Sequence, residues 1–305
     1  MKTILLSAIT LAGWAGMAAA NDFGPLLAPA QVQEATAPLI LDIREEGFDK
    51  GHIEGAVSAP YSLFRGPASN PGELIPEDKL EATLRDLGVT YERPTLIVHQ
   101  GKDDSDFGAA ARVYWTLKSS GVSQIAILNG GMNAWRDAGL AVTTQATAPQ
   151  PSDIDITFSD QWLATEEDVN AVVGGEKTAT LVDARPPAFF EGKQAHPSAD
   201  RPGTLPGAEN VPHSVWFDGT PRIGDATNAK EIAARLGLNG QEEVVSFCNT
   251  GHWASTEWFA LSELAGLPNV KLYPESVVGY SHNGGEMANV PGLMDNLLRQ
   301  IRGVN

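Results

Sequence analysis

The chain carries one pattern twice, at a spacing near 145 residues, and any fold it adopts has to accommodate both copies. Leu39-Ile40-Leu41-Asp42-Ile43-Arg44 returns as Thr180-Leu181-Val182-Asp183-Ala184-Arg185. Gly51-His52-Ile53-Glu54-Gly55-Ala56 returns as Gly203-Thr204-Leu205-Pro206-Gly207-Ala208. A further apolar run, Thr95-Leu96-Ile97-Val98-His99-Gln100, matches Glu243-Val244-Val245-Ser246-Phe247-Cys248 and sets Gln100 opposite Cys248. Tyr114-Trp115-Thr116-Leu117 matches Glu257-Trp258-Phe259-Ala260, and Ile127-Leu128-Asn129-Gly130-Gly131 matches Leu272-Tyr273-Pro274-Glu275-Ser276. Short apolar strands alternating with helical stretches predict a parallel sheet covered by helices on both faces. Each half therefore reads as an α/β domain, the first over 21–145 and the second over 153–305. The polar, proline-bearing stretch Thr144–Ser152 reads as the linker.

Cys248 is the only cysteine. A short apolar run ends at it, the small polar loop Asn249-Thr250-Gly251-His252 follows, and Trp253, Ala254, Trp258, Phe259, Leu261 and Leu264 then recur at helical spacing. Strand, tight loop and helix start would aim backbone N–H groups and the positive end of a helix at one point. A thiol in such a setting is favoured as thiolate, the nucleophilic form. The competing reading is a small buried hydrophobe. One cysteine cannot close an internal disulfide, so two-cysteine redox chemistry within the chain is excluded.

Lys2, the apolar run Ile4–Met17 and the small residues Ala18-Ala19-Ala20 predict a secretory signal over 1–20, cleaved near Ala20. The mature chain would start at Asn21 and be periplasmic. The run is too short and too rich in glycine and alanine for a spanning helix, which needs ~20 apolar residues, so no membrane insertion is expected. With 21 basic and 38 acidic residues the chain carries −17, and losing Lys2 leaves 20 − 38 = −18. That sign argues against nucleic acid and anionic membrane as partners. An anionic substrate would have to be drawn by local dipoles or a few placed cations.

Taken together, the Asp-x-Arg after a strand, the Gly203–Ala208 segment, the Cys248 loop and the aromatic-bearing segment after Leu272 resemble the tandem-domain rhodanese family of sulfurtransferases. The resemblance covers nearly the whole mature chain. It implies an α/β fold of two tandem rhodanese-like domains, each a parallel sheet flanked by helices, with the first catalytically silent and packed against the second, and the pocket near their interface. It also implies transfer of sulfane sulfur from a small-molecule donor, of the thiosulfate or 3-mercaptopyruvate type, to a thiophilic acceptor such as cyanide or a thiol. The carrier would be a persulfide on Cys248, splitting one transfer into two easier steps. No cofactor and no metal are implied.

The candidate substrate-binding residues are Asn249, Thr250, Gly251, His252 and Trp253, with Arg185. Converging loop N–H groups would hold the thiolate and persulfide anions without a metal, and Gly251 would let the backbone turn tightly. Asn249 and Thr250 offer neutral hydrogen bonds. His252 offers a hydrogen bond or, when protonated, a charge, unless it is only a surface residue at a helix start. Trp253 either walls the pocket or belongs to the core, and Trp258 reads as core. Arg185 either reaches the pocket or pairs with Asp183 to fix the loop, the reading that the Asp42/Arg44 copy favours. The loop carries no Arg or Lys, and neither does Pro186-Pro187-Ala188-Phe189-Phe190, where the family often has an arginine. The usual clamp for an anionic donor is therefore not visible, and Asn249→Arg is expected to improve thiosulfate use. His196, Arg201 and His213 read as loop residues that would at most rim the pocket, and His52, His99 and His282 as surface or structural. By the resemblance Glu275 and Ser276 lie in the segment that closes the site, and Glu275 is not expected to bind donor, since a carboxylate opposes a neighbouring thiolate.

Three rivals fail on the residues. A cysteine phosphatase needs arginine in Cys-x5-Arg, where Ala254 stands. One cysteine and six scattered histidines show no zinc-ligand spacing. A papain-like hydrolase would need a distant histidine base that nothing identifies. The rival from a different class is a non-catalytic module: a sulfur carrier that delivers persulfide to a protein acceptor, or a degenerate scaffold.

Overall fold

The apolar runs form two separate parallel sheets in the computed structural model, which describes residues 23–292. The signal-peptide reading of residues 1–20 lies outside the described residues. The first sheet contains β1 (Leu26–Leu27), β2 (Leu39–Asp42), β3 (Val57–Ser58), β4 (Thr95–Val98) and β5 (Ile125–Leu128), in the order β1-β5-β4-β2-β3. The second contains β6 (Thr180–Asp183), β7 (Glu209–Asn210), β8 (Val244–Phe247) and β9 (Val270–Leu272), in the order β7-β6-β8-β9. The central strands β2, β4 and β8 are buried along their whole length, which is why they read as continuous apolar runs and not as alternating ones.

The flanking helices of the first half are α1 (Pro29–Glu34), α2 (Glu77–Asp86), α3 (Phe107–Ser119) and α4 (Gly131–Asp137). Those of the second are α5 (Glu166–Val173), α6 (Pro187–Phe190), α7 (Ala226–Arg235), α8 (Trp253–Trp258) and α9 (Ser276–His282). The α8 helix runs on into a π-helical stretch, Phe259–Leu264. No described helix is long and apolar enough to cross a membrane.

Register corrects one expectation. Asp42 pairs with Val98 across β2–β4, and Asp183 pairs with Phe247 across β6–β8. The residue after Val98 is His99, so His99 and not Gln100 stands where Cys248 stands. Gln100 is the counterpart of Asn249.

The two halves share one core. α3 packs against α8, and a single apolar cluster runs from Leu39 in the first half to Leu272 in the second. The run Gly108-Ala109-Ala110-Ala111 makes α3 thin enough for this approach: a Cβ at Gly108 would lie 2.8 Å from the His252 carbonyl oxygen. Phe259 seals the junction edge-on against Phe107 and Tyr114. Lys118 and Glu263 pair across it at 2.8 Å. The connection also extends beyond Ser152. Ile154 and Ile156 are buried, Arg85 donates to the Ile154 carbonyl at 2.7 Å, and the N–H groups of Ile156 and Phe158 donate to Glu81 and Glu77. The chain leaving the first domain is thus pinned along α2 before it enters the second.

Candidate active site

Cys248 follows β8 directly and is 1% exposed. Its N–H and that of Gly251 both donate to the Ser276 hydroxyl, at 3.0 and 3.1 Å, and that hydroxyl donates to the Tyr273 carbonyl at 2.8 Å. Ser276 holds φ +54°, in the left-handed region that an L side chain occupies only at a cost of ~1–3 kcal/mol. Its counterpart is Gly131, since Met132 N–H meets the His99 carbonyl as Val277 N–H meets that of Cys248. The first domain therefore meets this backbone demand with glycine (φ +56°), and the second with a serine whose hydroxyl braces the cysteine loop. Gly251 also needs its missing side chain: at φ +69°, a Cβ there would sit 2.5 Å from Arg112 Nη1 and from the Pro274 carbonyl oxygen. Among the described residues the N–H groups of Asn249, Thr250 and His252 have no protein acceptor. The helix start adds little field of its own, because α8 is only six residues long before the π-helical stretch.

The cations that the loop lacks come from the first domain. Arg112, on α3, is 1% exposed; its Nη2 donates to the Gly72 carbonyl at 3.2 Å, while Nε and Nη1 have no partner among the described residues. Burial, reinforced by repulsion from Arg65, brings its pKa down to about 9, so it is charged at neutral pH. Arg65 donates from Nη2 to the Thr250 carbonyl at 2.9 Å and from Nη1 to the Tyr61 hydroxyl at 3.0 Å. Tyr61 passes the chain on to His252 Nδ1 at 3.1 Å, and His252 Nε2 meets the Ser105 carbonyl at 2.8 Å. A carbonyl only accepts, so Nε2 carries the proton and Nδ1 accepts from Tyr61. Burial and then Arg65 push the His252 pKa down to about 4, so the ring is neutral at neutral pH and the charged role for it is closed. Asn70 donates to Glu275 at 2.7 Å, and a Cβ at Gly72 would lie 2.2 Å from the Pro274 oxygen. The first-domain segment 65–72 thus closes over the cysteine loop.

The remaining predicted residues have structural partners. Arg185 holds Asp183 with Nε and Nη2 at 2.8 and 2.6 Å, donates to the Gly203 carbonyl, and reaches the Asn249 side-chain oxygen with Nη1 at 3.2 Å. It acts on the loop through Asn249, as Arg44 reaches Gln100 from Asp42 in the first domain. Thr250 offers its carbonyl to Arg65. Trp253 stacks on His213 with ring centroids 4.9 Å apart and donates to the Ser105 hydroxyl. Trp258 is wholly buried in the core. His196 feels Arg65, which adds to burial in lowering its pKa, and Arg201 donates to the Gly285 carbonyl. Sequence reasoning missed Tyr61, Arg65 and Arg112 altogether, and placed Ser276 in the segment that closes the site without foreseeing its bonds to the cysteine loop.

The copy in the first domain is plugged. His99 Nδ1 lies 2.9 Å from Asp106 Oδ2, which also accepts from the N–H groups of Gly101 (2.6 Å) and Lys102 (3.1 Å). Burial works against that carboxylate, but these bonds outweigh it and hold its pKa below the usual value. An anion cradle is present there, filled by the chain's own carboxylate. Among the described residues no cluster of three His, Cys, Asp or Glu side chains is placed to hold a metal.

The model of the rhodanese-like domain matches this chain twice, over residues 28–138 and 165–283, and the chain belongs to that family. A protein of Mycolicibacterium smegmatis, provisionally named a thiosulfate sulfurtransferase, is 30% identical over 81% of this chain and 90% of its own length. The sulfur carrier protein TtuD of Thermus thermophilus is 28% identical over 80% of this chain and 86% of its own. The crystal structure of SseA from Escherichia coli, described with 3-mercaptopyruvate sulfotransferases, superposes with a TM-score of 0.70 at 23% identity, covering 82% of this chain and 98% of that one. At that identity it speaks to the fold alone.

Proposed function

We propose that the protein is a sulfurtransferase that takes sulfane sulfur from an anionic donor such as thiosulfate onto Cys248 and passes it to a thiophilic acceptor. The observation that carries this reading is one buried thiol in a loop braced by Ser276 and faced by two arginines from the other domain. In the first step the Cys248 thiolate attacks the outer sulfur of thiosulfate. A new S–S bond forms, the donor S–S bond breaks, and its electron pair leaves with sulfite, so a singly charged persulfide and a doubly charged sulfite replace thiolate and thiosulfate. In the second step cyanide or a thiolate attacks the outer persulfide sulfur, and the electron pair returns to Cys248. Every species on Cys248 is an anion or becomes one, and groups preorganised for that charge lower both barriers. Unaccepted loop N–H groups and the Arg65 and Arg112 guanidinium groups fit this demand. The 3-mercaptopyruvate type of donor also offers an anionic end to the same cations.

Among the relatives a sulfur carrier favours a second reading, in which the persulfide is delivered to a protein acceptor. The burial of Cys248 under segment 65–72 supports small molecules as the first substrates instead. Export to the periplasm is part of the proposal and rests on residues 1–20. The test is thiocyanate production from thiosulfate and cyanide by wild type and Cys248→Ser. Turnover in wild type alone supports the enzyme; turnover retained in Cys248→Ser defeats it. A carrier instead holds stoichiometric persulfide and turns over slowly with small acceptors.

A further inference from the structure

We infer that Arg112, a first-domain residue, is the counter-ion of the sulfur anion carried by Cys248, so that the working site is assembled across the domain interface. This rests on the sulfurtransferase reading above and adds what that reading leaves open: which cation neutralises the sulfur.

The three most deeply buried arginines make the case by contrast. Arg44 and Arg185 are 6% and 1% exposed, and each is paired with an aspartate two residues away, at 2.7 and 2.6 Å. Arg112 is as buried as Arg185, yet no carboxylate of the described residues pairs with it. Its Cζ lies over the Trp115 ring, 5.2 Å from the centroid, and one donor meets the Gly72 carbonyl, but neither supplies a countercharge, and a buried charge without one is costly. Two of its donors, Nε and Nη1, are unmatched, and Nη1 lies against Gly251, 2.5 Å from where a Cβ would stand. Gly251 N–H and Cys248 N–H meet on one oxygen, so the guanidinium abuts the loop that holds the thiol. Position 251 must be glycine for this approach to exist. Against burial and Arg65, the groups that favour the charged form of Arg112 are Tyr61 and then Cys248.

Arg65 is not equivalent. Its bonds to Thr250 and Tyr61 are made, so it positions the loop, whereas Arg112 has bonds left to give. Thiolate, attacking thiosulfate and persulfide all bring negative charge to that place. The substrate class that follows is a donor whose transferable sulfur or leaving group is anionic.

The experiment compares wild type with Arg112→Lys, Arg112→Gln and Arg112→Met. Lys keeps the charge, Gln keeps a donor for the Gly72 carbonyl without charge, and Met keeps bulk alone. Two readouts are taken: the second-order rate of sulfur loading by thiosulfate, followed by intact mass, and the ratio of Cys248 alkylation rates by iodoacetate and iodoacetamide. The loading rate is expected to fall about 100-fold in Gln and Met and less than about tenfold in Lys. The iodoacetate-to-iodoacetamide ratio is expected to fall about tenfold in Gln and Met and to hold in Lys. Equal losses in Lys and Gln, or an unchanged ratio in Gln, overturn the inference, because a structural role follows hydrogen bonding and not charge. If Met does not fold, the Lys and Gln pair still decides. A wild type that loads no sulfur, with a ratio that still falls in Gln, sinks the sulfurtransferase reading and leaves the cation site standing.

Discussion

A serine at position 276 occupies backbone space that its first-domain counterpart gives to glycine, and its hydroxyl is the reason. Ser276→Gly relieves strain of ~1–3 kcal/mol but loses three hydrogen bonds worth ~1 kcal/mol each, so it should cost no more than about 2 kcal/mol of stability. Sulfur loading should nevertheless fall at least about tenfold, because the N–H groups of Cys248 and Gly251 lose the acceptor that fixes them. Unchanged loading, measured beside a denaturant midpoint, would remove Ser276 from the site. The structure also reverses the expected gain from Asn249→Arg. Asn249 is 4% exposed with its oxygen against the Arg185 guanidinium, so a second guanidinium there is buried against the first. That variant should lose on the order of 3 kcal/mol of stability and gain no thiosulfate affinity, checked by denaturant unfolding and KM. Cys248 and Gly251 were legible in sequence because strand, cysteine and glycine loop are contiguous. Arg65 and Arg112 were not, because they reach the cysteine loop, at Thr250 and Gly251, from far along the chain. The available signal was an arginine amid the otherwise apolar stretch Gly108–Trp115.

At the scale of elements, the strands were read correctly in kind but one pairing slipped by a residue. Glu243 precedes β8, and Thr95 and Val244 each donate to a carbonyl just ahead of the neighbouring strand, of Gln124 and Asn269. Matching Thr95 to Glu243 therefore moved Gln100 onto Cys248. The helix after the thiol was legible from apolar spacing, but its change to π-helix after Trp258 leaves no trace in that spacing. The α8 region carries two groups of opposite titration sense, the half-buried His252 and the buried Glu257. His252 has a folded pKa of about 4, below its ordinary 6.5, so its stability contribution is present above 6.5 and is lost as pH falls towards 4, by about 3 kcal/mol. Glu257, buried with only the Trp216 indole N–H as partner, is raised to about 8; its contribution is present below 4.5 and is lost as pH rises through 8. The two offset each other between pH 4.5 and 6.5. His252→Gln should therefore show stability that only declines with rising pH from this pair, and Glu257→Gln stability that only climbs. Denaturant midpoints from pH 4 to 8 that leave both variants parallel to wild type would contradict these assignments.

As a whole molecule, the duplication has been put to asymmetric use. One copy keeps the thiol, and the other fills its own cradle with Asp106 and lends Tyr61, Arg65 and Arg112 to its neighbour. Two tandem α/β units were legible from the repeat. That the two pack together, with the pocket near their interface, was expected; that α3 lies on α8 and merges them into one core was not legible, because repetition specifies each sheet and not the helices that meet. A shared core predicts one cooperative unfolding transition, seen alike by tryptophan fluorescence and far-ultraviolet dichroism. Two separated transitions would show that the domains fold independently. Sulfur carried on Cys248 is read out by intact-mass analysis after incubation with thiosulfate, before and after cyanide. Wild type should gain a single sulfur and Cys248→Ser none, and cyanide should discharge that sulfur completely as thiocyanate. Thiocyanate formed without any adduct on wild type, or an adduct that persists in Cys248→Ser, would contradict sulfur transfer through Cys248.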